Sequence, residues 1–268
     1  MCNAINLTGF NLINCAAHTI QLAIHDAIDN NSQLQIILAK CRAIVGHFKR
    51  SNIDKAKLIE MQVKLEIIKH KLIQEVKMRW NSTYYMLERI LEQRQPVSYV
   101  VCTIDTLESL LNDDWKLVEA VIEVLAPFEW ATRILSGDKY SKLSLVIPLM
   151  ANVLVKLRKI KSTHKEAESI RKELIKAVET RFDGLEKNKI VTNACLLDPR
   201  FKVSCFLKTE NKNEAIKNLS DELSQVGLGS QIVNLENEIE CEPRNKKMKQ
   251  DDDFWEFVAE QQEEQQEK

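Results

Sequence analysis

Apolar residues recur every three or four positions along most of the chain up to Leu185. Between Leu12 and Ile28 the apolar positions are Leu12, Ile13, Ala16, Ile20, Ala23, Ile24, Ala27 and Ile28. This spacing is the period of an α-helix with one buried face. The same pattern from Leu34 to Phe48, behind the candidate N-cap Ser32, predicts a second helix.

A lysine-rich stretch follows, from Ile53 to Ile73. Its apolar stripe is formed by Leu58, Met61, Leu65, Ile68 and Leu72. Because lysines flank this stripe, the pattern predicts one amphipathic helix with a basic face. The next helix should begin at the candidate N-caps Asn81, Ser82 and Thr83 and end before Pro96.

The same periodicity predicts further helices downstream. They run onward from Asp113 with a kink or break at Pro127, from about Leu143 to Ile160 with a kink at Pro148, and from Thr163 to Leu185. The stretch from Ile190 to Leu197 fits either a short strand or a helix. No segment alternates between apolar and polar residues for more than a few positions, so the predicted fold class is mainly α, with kinked helices. Residues 209–268 are polar and charged, and they are expected to form a largely disordered tail with one short aromatic segment.

The composition supports long helices and limits the classes of function. The 268 residues are 44% apolar and include six glycines and five prolines, too few for a sandwich or barrel. Lys and Arg number 38 against 39 Asp and Glu, so a nucleic-acid contact would need a local basic patch. The seven cysteines form no Cys-x-x-Cys pair, which is typical of free thiols in a reducing compartment. No signal peptide and no apolar run of about 18 residues is present, so a soluble intracellular protein is expected.

Cys15 and His18 stand three positions apart in the first predicted helix. Zinc takes about four nitrogen or sulfur ligands, so this pair supplies half a site. Adding Cys41 and His47 gives no familiar zinc-finger spacing. Three interpretations stay open: two residues that pack together under a core, part of a metal site, or the edge of an active site with a cysteine nucleophile.

Arg79 and Trp80 follow a run of lysines, namely Lys64, Lys69, Lys71 and Lys77. Basic side chains neutralise phosphates and a Trp ring stacks on bases, so these six residues are a candidate surface for an unstacked nucleic-acid strand. The alternative is that Trp80 is a buried packing anchor at a helix start, with Arg79 on the surface.

Asp198, Pro199 and Arg200 predict a turn, after which Phe201 should dock on the core. A lone Asp is no acid–base pair, and metal-assisted phosphoryl transfer needs several converging carboxylates. The basic run from Pro243 to Lys249 is either a nuclear import signal or a solvated linker.

Four stretches, in this order, resemble the hAT transposase superfamily, and within it the zinc finger BED domain-containing proteins. They are CAAHTIQLAI, VKMRWNSTYYMLERILEQ, LAPFEWATRILSGDKYSKLSLVIPLM and CLLDPRFK, and the resemblance spans about residues 1–207. Cys15 and His18 match the family's Cys-x-x-His, and Arg79 and Trp80 match its Arg-Trp motif. The resemblance implies the helical insertion domain of an RNase H-like hAT transposase.

Active members of that family hold divalent metals with two Asp and one Glu, and the Trp of their Arg-Trp motif helps to handle the DNA end. No position of this sequence matches those carboxylates or the ligands of a BED zinc finger. The resemblance therefore implies no catalytic residue, metal or cofactor here. Residues 1–30 are expected to be the edge of the RNase H-like core, 31–208 the helical insertion and 209–268 the tail.

The resulting prediction is a domesticated or truncated hAT transposase-like protein without catalytic activity. It is expected in the nucleus, associated with DNA or chromatin, and protein partners or self-association are further options. Neither a membrane nor a small-molecule substrate is expected. Two alternatives stay open: a protein-interaction scaffold derived from a transposase, and a fragment of an active DNA transposase.

Overall fold

The computed structural model describes residues 13–137, 142–225, 254–259 and 261. In that part of the chain all regular structure is helical and no strand is present, which confirms the predicted mainly α fold class. The α-helices are α1 (Ala16–Asp29), α2 (Ser32–Arg50), α3 (Asn52–Lys64), α4 (Trp80–Glu92), α5 (Arg94–Val101), α6 (Asn112–Ser136), α7 (Val146–Lys159), α8 (Lys165–Phe182), α9 (Lys189–Leu196) and α10 (Thr209–Gln225). Short 3₁₀ helices lie at Leu143–Leu145 and Leu185–Lys187, and residues 254–259 are also helical. None of the described helices is long and apolar enough to cross a membrane.

The chain folds into two compact units. The first comprises Met1–Ser136 and Lys156–Val178, and the second comprises Gly137–Val155 and Glu179–Lys268. In the first unit, α4 packs along α6 and α3 packs along α5. In the second, α9 packs on α10 and on the 3₁₀ helix at Leu143–Leu145.

The predicted apolar faces of the first two helices form much of the core of the first unit. The buried side chains of α1 are Ile20, Ala23, Ile24, Ala27 and Ile28, and those of α2 are Leu34, Ile37, Leu38, Cys41, Ile44, Val45 and Phe48. The N-cap of α2 is Asn31, whose side chain accepts a hydrogen bond from the amide of Leu34 at 2.8 Å. Ser32, the predicted cap, is instead the first helical residue.

Pro127 and Pro148 do not break their helices. Pro127 lies inside α6, which continues as one helix from Asn112 to Ser136. The missing amide of a proline costs least in the first turn of a helix, and Pro96 and Pro148 occupy the first turns of α5 and α7. α4 does end before Pro96, but the chain enters another helix almost at once.

The prediction of one amphipathic helix from Ile53 to Ile73 is wrong. α3 ends at Lys64, and residues 65–79 reach α4 without helix or strand; we call them the linking segment. Glu66 adopts φ 55°, in the left-handed region where a helix of L-residues stops. Leu58 is the one buried member of the predicted stripe, whereas Leu65 and Ile68 are exposed.

Residues 209–225 are more ordered than predicted. Thr209–Gln225 form α10, so the expectation of a largely disordered tail is wrong for these residues. The helix buries Ala215, and it also buries Asn211, whose side-chain amide donates to Glu186 at 2.9 Å. The basic run at 243–249 lies outside the described residues.

Candidate nucleic-acid interface

Two buried glutamines hold the backbone of the linking segment. The side-chain amide of Gln62, on α3, donates to the carbonyl of His70 at 2.9 Å and to Oε1 of Gln93 at 2.8 Å. The amide of Gln93 in turn donates to the carbonyl of Ile68 at 3.1 Å. Gln62 and Gln93 are 1% and 0% exposed, and leaving a buried amide unpaired is costly. These bonds therefore fix the path of residues 68–70.

Glu75 is the second anchor of the segment. Its side chain is 4% exposed and its carboxylate is bound by Nε and Nη2 of Arg42, on α2, and by the hydroxyl of Thr83, on α4, at 2.6 Å. Burial acts to raise the pKa of Glu75, but the hydrogen bonds from Arg42 and Thr83 outweigh it and hold the pKa below its usual value. The ionised carboxylate thus ties the segment to two helices.

Further hydrogen bonds hold the segment on both sides of Glu75. They run from Arg89 Nη1 to the carbonyl of Lys71 at 2.9 Å, from the amide of Val76 to the hydroxyl of Ser82 at 2.7 Å, and from Gln21 Nε2 to the carbonyl of Met78 at 2.7 Å. Most of these bonds end on backbone groups. The side chains of the segment are therefore left to point elsewhere.

The linking segment displays four exposed basic side chains, which we call the basic surface: Lys69, Lys71, Lys77 and Arg79. Over the described part of the chain, no carboxylate lies within 4.0 Å of any of their cationic nitrogens. Lys64, the fifth predicted cation, differs because it lies on α3 and its ammonium is 2.7 Å from Glu60. The hydrogen bond to Glu60 raises the pKa of Lys64, and the negative charge of Glu60 offsets the positive charge of Lys64.

Trp80 does not belong to the basic surface. Its side chain is 1% exposed, and its ring meets Tyr84 edge-on with the centroids 6.4 Å apart. In this structure Trp80 is a packing anchor at the start of α4, and neither face of its ring is open to a base. Of the two interpretations of Trp80, the structure therefore supports the buried packing anchor and not the ring that stacks on nucleic acid. Its indole Nε1 is buried without a hydrogen-bond partner among the described residues.

Cys15 and His18 lie at the start of α1, and both are exposed. Cys15 is the N-cap residue, and its carbonyl accepts a hydrogen bond from the amide of Thr19 at 2.9 Å. Of the three interpretations of this pair, packing together under a core is therefore wrong. Within the described ranges, no three or more His, Cys, Asp or Glu side chains are grouped where they could hold a metal ion, so no chemistry is derived through one.

A cavity of about 420 Å³ lies beside the linking segment, between it and helices α2 and α3. Its apolar walls include Val45, Phe48, Leu58, Ile59 and Leu72. Its polar walls include Gln62, His70 and Gln74. Four lysines also line it: Lys49 and Lys55 from the helices, and Lys69 and Lys71 from the basic surface.

In the second unit, Asp198, Pro199 and Arg200 form the predicted turn. The Asp198 carboxylate accepts from the backbone amide of Arg200 at 3.1 Å and from its Nη2 at 2.6 Å. Hydrogen bonds from Arg200, and a further one from Ser144, hold the pKa of Asp198 below its usual value. Phe201 is fully buried, as expected for a residue that docks on the core. Asp198 is thus paired within the turn and has a structural role here.

The predicted aromatic segment packs against Phe201 in the same unit. Phe254, Phe257 and Val258 are buried. The ring of Trp255 stacks on Phe201 with centroids 6.0 Å apart and planes 5° from parallel, and its side chain remains 42% exposed. The apolar side chains of this segment are therefore mostly satisfied within the chain.

The side chains that hold the linking segment in place were not predicted from the sequence. Gln62 carried one usable signal, since it lies four positions after the buried Leu58 and so on the buried face of its helix. A glutamine there must find partners inside the protein. Arg42, Glu75 and Gln93 carried no such signal, because their partners are distant in the sequence.

Comparison with known proteins agrees with the family resemblance seen in the sequence. Residues 13–124 match the family model described as the ZBED1 RNase-like helical domain. The chain is 30% identical over 251 residues to zinc finger BED domain-containing protein 4 of Homo sapiens, covering 92% of this chain and 21% of that protein. It is 29% identical over 209 residues to zinc finger BED domain-containing protein 6 of Homo sapiens, covering 75% and 21%. It is 26% identical over 197 residues to the putative AC transposase of Zea mays, covering 71% and 24%.

The fold, the four motifs and these similarities show that the chain is related to the BED-type proteins derived from hAT transposases. Residues 13–124 are the part that is similar to an RNase-like helical domain. The chain spans about a fifth of the length of its human relatives, 21% in both cases. It therefore corresponds to one portion of those proteins.

Proposed function

We propose that this chain binds nucleic acid through the basic surface of the linking segment. The observation that carries the proposal is the combination of four exposed cations without a carboxylate within 4.0 Å and a backbone that is fixed by buried polar side chains. Cations on a fixed backbone have less freedom to lose when they meet phosphates. The near-neutral total charge, −1, is compatible with this because the positive charge is local.

The test is the salt dependence of binding, measured by fluorescence anisotropy with labelled DNA and the full chain. Binding through phosphate contacts weakens as salt rises, with a slope of log K on log salt of about 0.7 per contact for a single strand. The double variant Lys69→Gln/Lys71→Gln should bind more weakly and with a shallower slope. The control is Lys172→Gln/Lys176→Gln, which removes the same charge from exposed positions on α8. An equal loss of affinity in the two double variants, or binding that does not depend on salt concentration, would contradict the proposal.

We also propose that the chain does not cleave DNA and that it acts in the nucleus. The support for the first point is the resemblance, in which no position of this sequence takes the place of the family's catalytic carboxylates. An assay with Mg²⁺ or Mn²⁺ and labelled DNA should give no cleavage product, and a metal-dependent product would overturn this part. The support for the second point is the basic run at 243–249. A fluorescent fusion should leave the nucleus when Arg244, Lys246 and Lys247 are replaced by Gln.

A protein-interaction scaffold is the other candidate function. The aromatic segment at residues 254–258 would be its contact surface, but Phe254, Phe257 and Val258 are buried within the second unit. Trp255 is the one large apolar side chain of that segment with substantial exposure. Nucleic-acid binding is therefore favoured over a scaffold that uses this segment.

A further inference from the structure

We infer that the cavity beside the linking segment receives one unstacked base of a single-stranded nucleic acid. The inference rests on the proposed function, because Lys69 and Lys71 belong both to the basic surface and to the cavity wall. A strand whose phosphates lie on the basic surface would pass the cavity at these two residues. A base turned out of such a strand has the cavity directly beside it.

The size and the apolar walls of the cavity suit a base. Its volume of about 420 Å³ falls within the range of roughly 300–1,000 Å³ that is usual for ligand pockets. Phe48, Leu58 and Leu72 offer apolar surface, and removing the faces of a base from water against such surface is favourable. The cavity is small enough that we expect it to bind one base with its sugar.

The polar groups that line the cavity further limit which kind of ligand fits it. Gln74 is exposed and has amide donors and an acceptor, and His70 contributes an imidazole ring whose Nδ1 lies 2.5 Å from Oε1 of Glu92, so Nε2 is the ring nitrogen that can meet a ligand. The amide of Gln74 and Nε2 of His70 can hydrogen-bond to the edge of a base, whereas an aliphatic side chain of an acidic peptide offers them no hydrogen bond. A base therefore fits the lining better than an acidic amphipathic peptide, the other anionic partner with an apolar part.

The charge around the cavity completes the argument. Lys49, Lys55, Lys69 and Lys71 all line it, and over the described part of the chain none has a carboxylate within 4.0 Å of its ammonium. These lysines come from both sides, α2 and α3 on one and the linking segment on the other. The phosphates before and after an inserted base would each meet a lysine.

The experiment compares two labelled probes of equal length and charge on the full chain. One is a single-stranded oligothymidine, and the other is the same backbone with every base removed. The wild-type chain should bind the base-bearing probe about tenfold more tightly. Ile59→Trp fills the cavity from its wall and leaves every lysine in place, so it should bind both probes equally. Ile53→Trp is the control, because Ile53 lies on the same helix, is 73% exposed and does not line the cavity.

The outcomes separate this inference from the proposed function. Salt-dependent binding of both probes with equal affinity by the wild-type chain would overturn the inference and leave the basic surface standing. Binding of neither probe would overturn both. A labelled peptide of leucines and glutamates with helical spacing is the third probe. If Ile59→Trp abolished binding of that peptide while the wild-type chain failed to distinguish the two oligonucleotides, the cavity would be a peptide site and the inference would be wrong.

Discussion

Arg42 and Glu75, 33 residues apart in the chain, form a two-point ion pair across the linking segment and α2. Thr83 completes the set from α4. An irregular segment of this length would otherwise have little to hold it in one conformation, since it buries few apolar side chains. The hydrogen bonds of the Glu75 carboxylate are therefore expected to be a main reason why the basic surface keeps one conformation.

Replacing Glu75 by Gln should lower the free energy of unfolding at pH 7 by about 3 kcal/mol, because it leaves Arg42 without its partner. The pKa of Glu75 is lower in the folded chain than in the unfolded one. Its stabilising contribution is thus complete above the unfolded pKa of about 4.3 and is lost as the pH falls through the folded pKa. Denaturant unfolding from pH 7 to pH 3 should show this loss in the wild type and less of it in the variant.

The control for this experiment is Glu60→Gln, which removes the exposed partner of Lys64. Exposed ion pairs contribute little to stability. If the two variants shift the unfolding midpoint equally, Glu75 is not the anchor that its burial indicates.

Replacing Gln62 by Ala should loosen the linking segment while α3 remains folded. The change removes the donors to the carbonyl of His70 and to Gln93. Limited proteolysis with trypsin should then cut after Lys69 and Lys71 faster than in the wild-type chain. Gln74→Ala is the matched control, since Gln74 is exposed, and it should leave the cleavage rate unchanged.

Replacing Trp80 by Ala should destabilise the first unit by about 3–5 kcal/mol, the cost of emptying a large buried site. Trp80→Phe should cost much less, because the indole nitrogen gives up no hydrogen bond seen in the described residues. Thermal unfolding followed by circular dichroism distinguishes the two. A Trp80→Ala chain that melts like the wild type but binds no DNA would restore the stacking role.

The cysteines should differ in reactivity. Burial raises the pKa of Cys41 to about 12 and, with help from neighbouring charges, that of Cys195 to about 12. Cys15 and Cys102 are exposed. Because the thiolate is the reactive form, iodoacetamide at pH 8 should modify the exposed pair first. Peptide mass mapping measures this, and early labelling of Cys41 in the folded chain would show that its helix opens.

The sequence predicted helices well where the chain is locally consistent, as in α1 and α2. It failed at residues 65–73, where Leu65, Ile68 and Leu72 continue a helical stripe that the structure does not use. There the carbonyls of Ile68 and His70 are bound by glutamines from other parts of the chain. A periodic pattern describes only local partners, so it cannot reveal such competition.

The candidate site shows the same limit. Exposed lysines at 69, 71 and 77 were found because charge is visible in a sequence, whatever the backbone does. The burial of Trp80 could not be decided, because a Trp at a helix start fits either a surface or a core. The cavity was not foreseen at all, since its walls come from α2, α3 and the linking segment together.

The hydrogen bonds from Gln62, Gln93 and Arg89 end on main-chain carbonyls, which every residue type possesses. Lys69 and Lys71 could therefore be replaced by other residue types without disturbing the path of the backbone. In this respect the segment is similar to an antibody loop on a rigid framework. The exposed side chains that determine binding specificity can change while the hydrogen bonds that hold the backbone stay the same. A small library randomised at these two positions would yield folded chains with many different surface specificities.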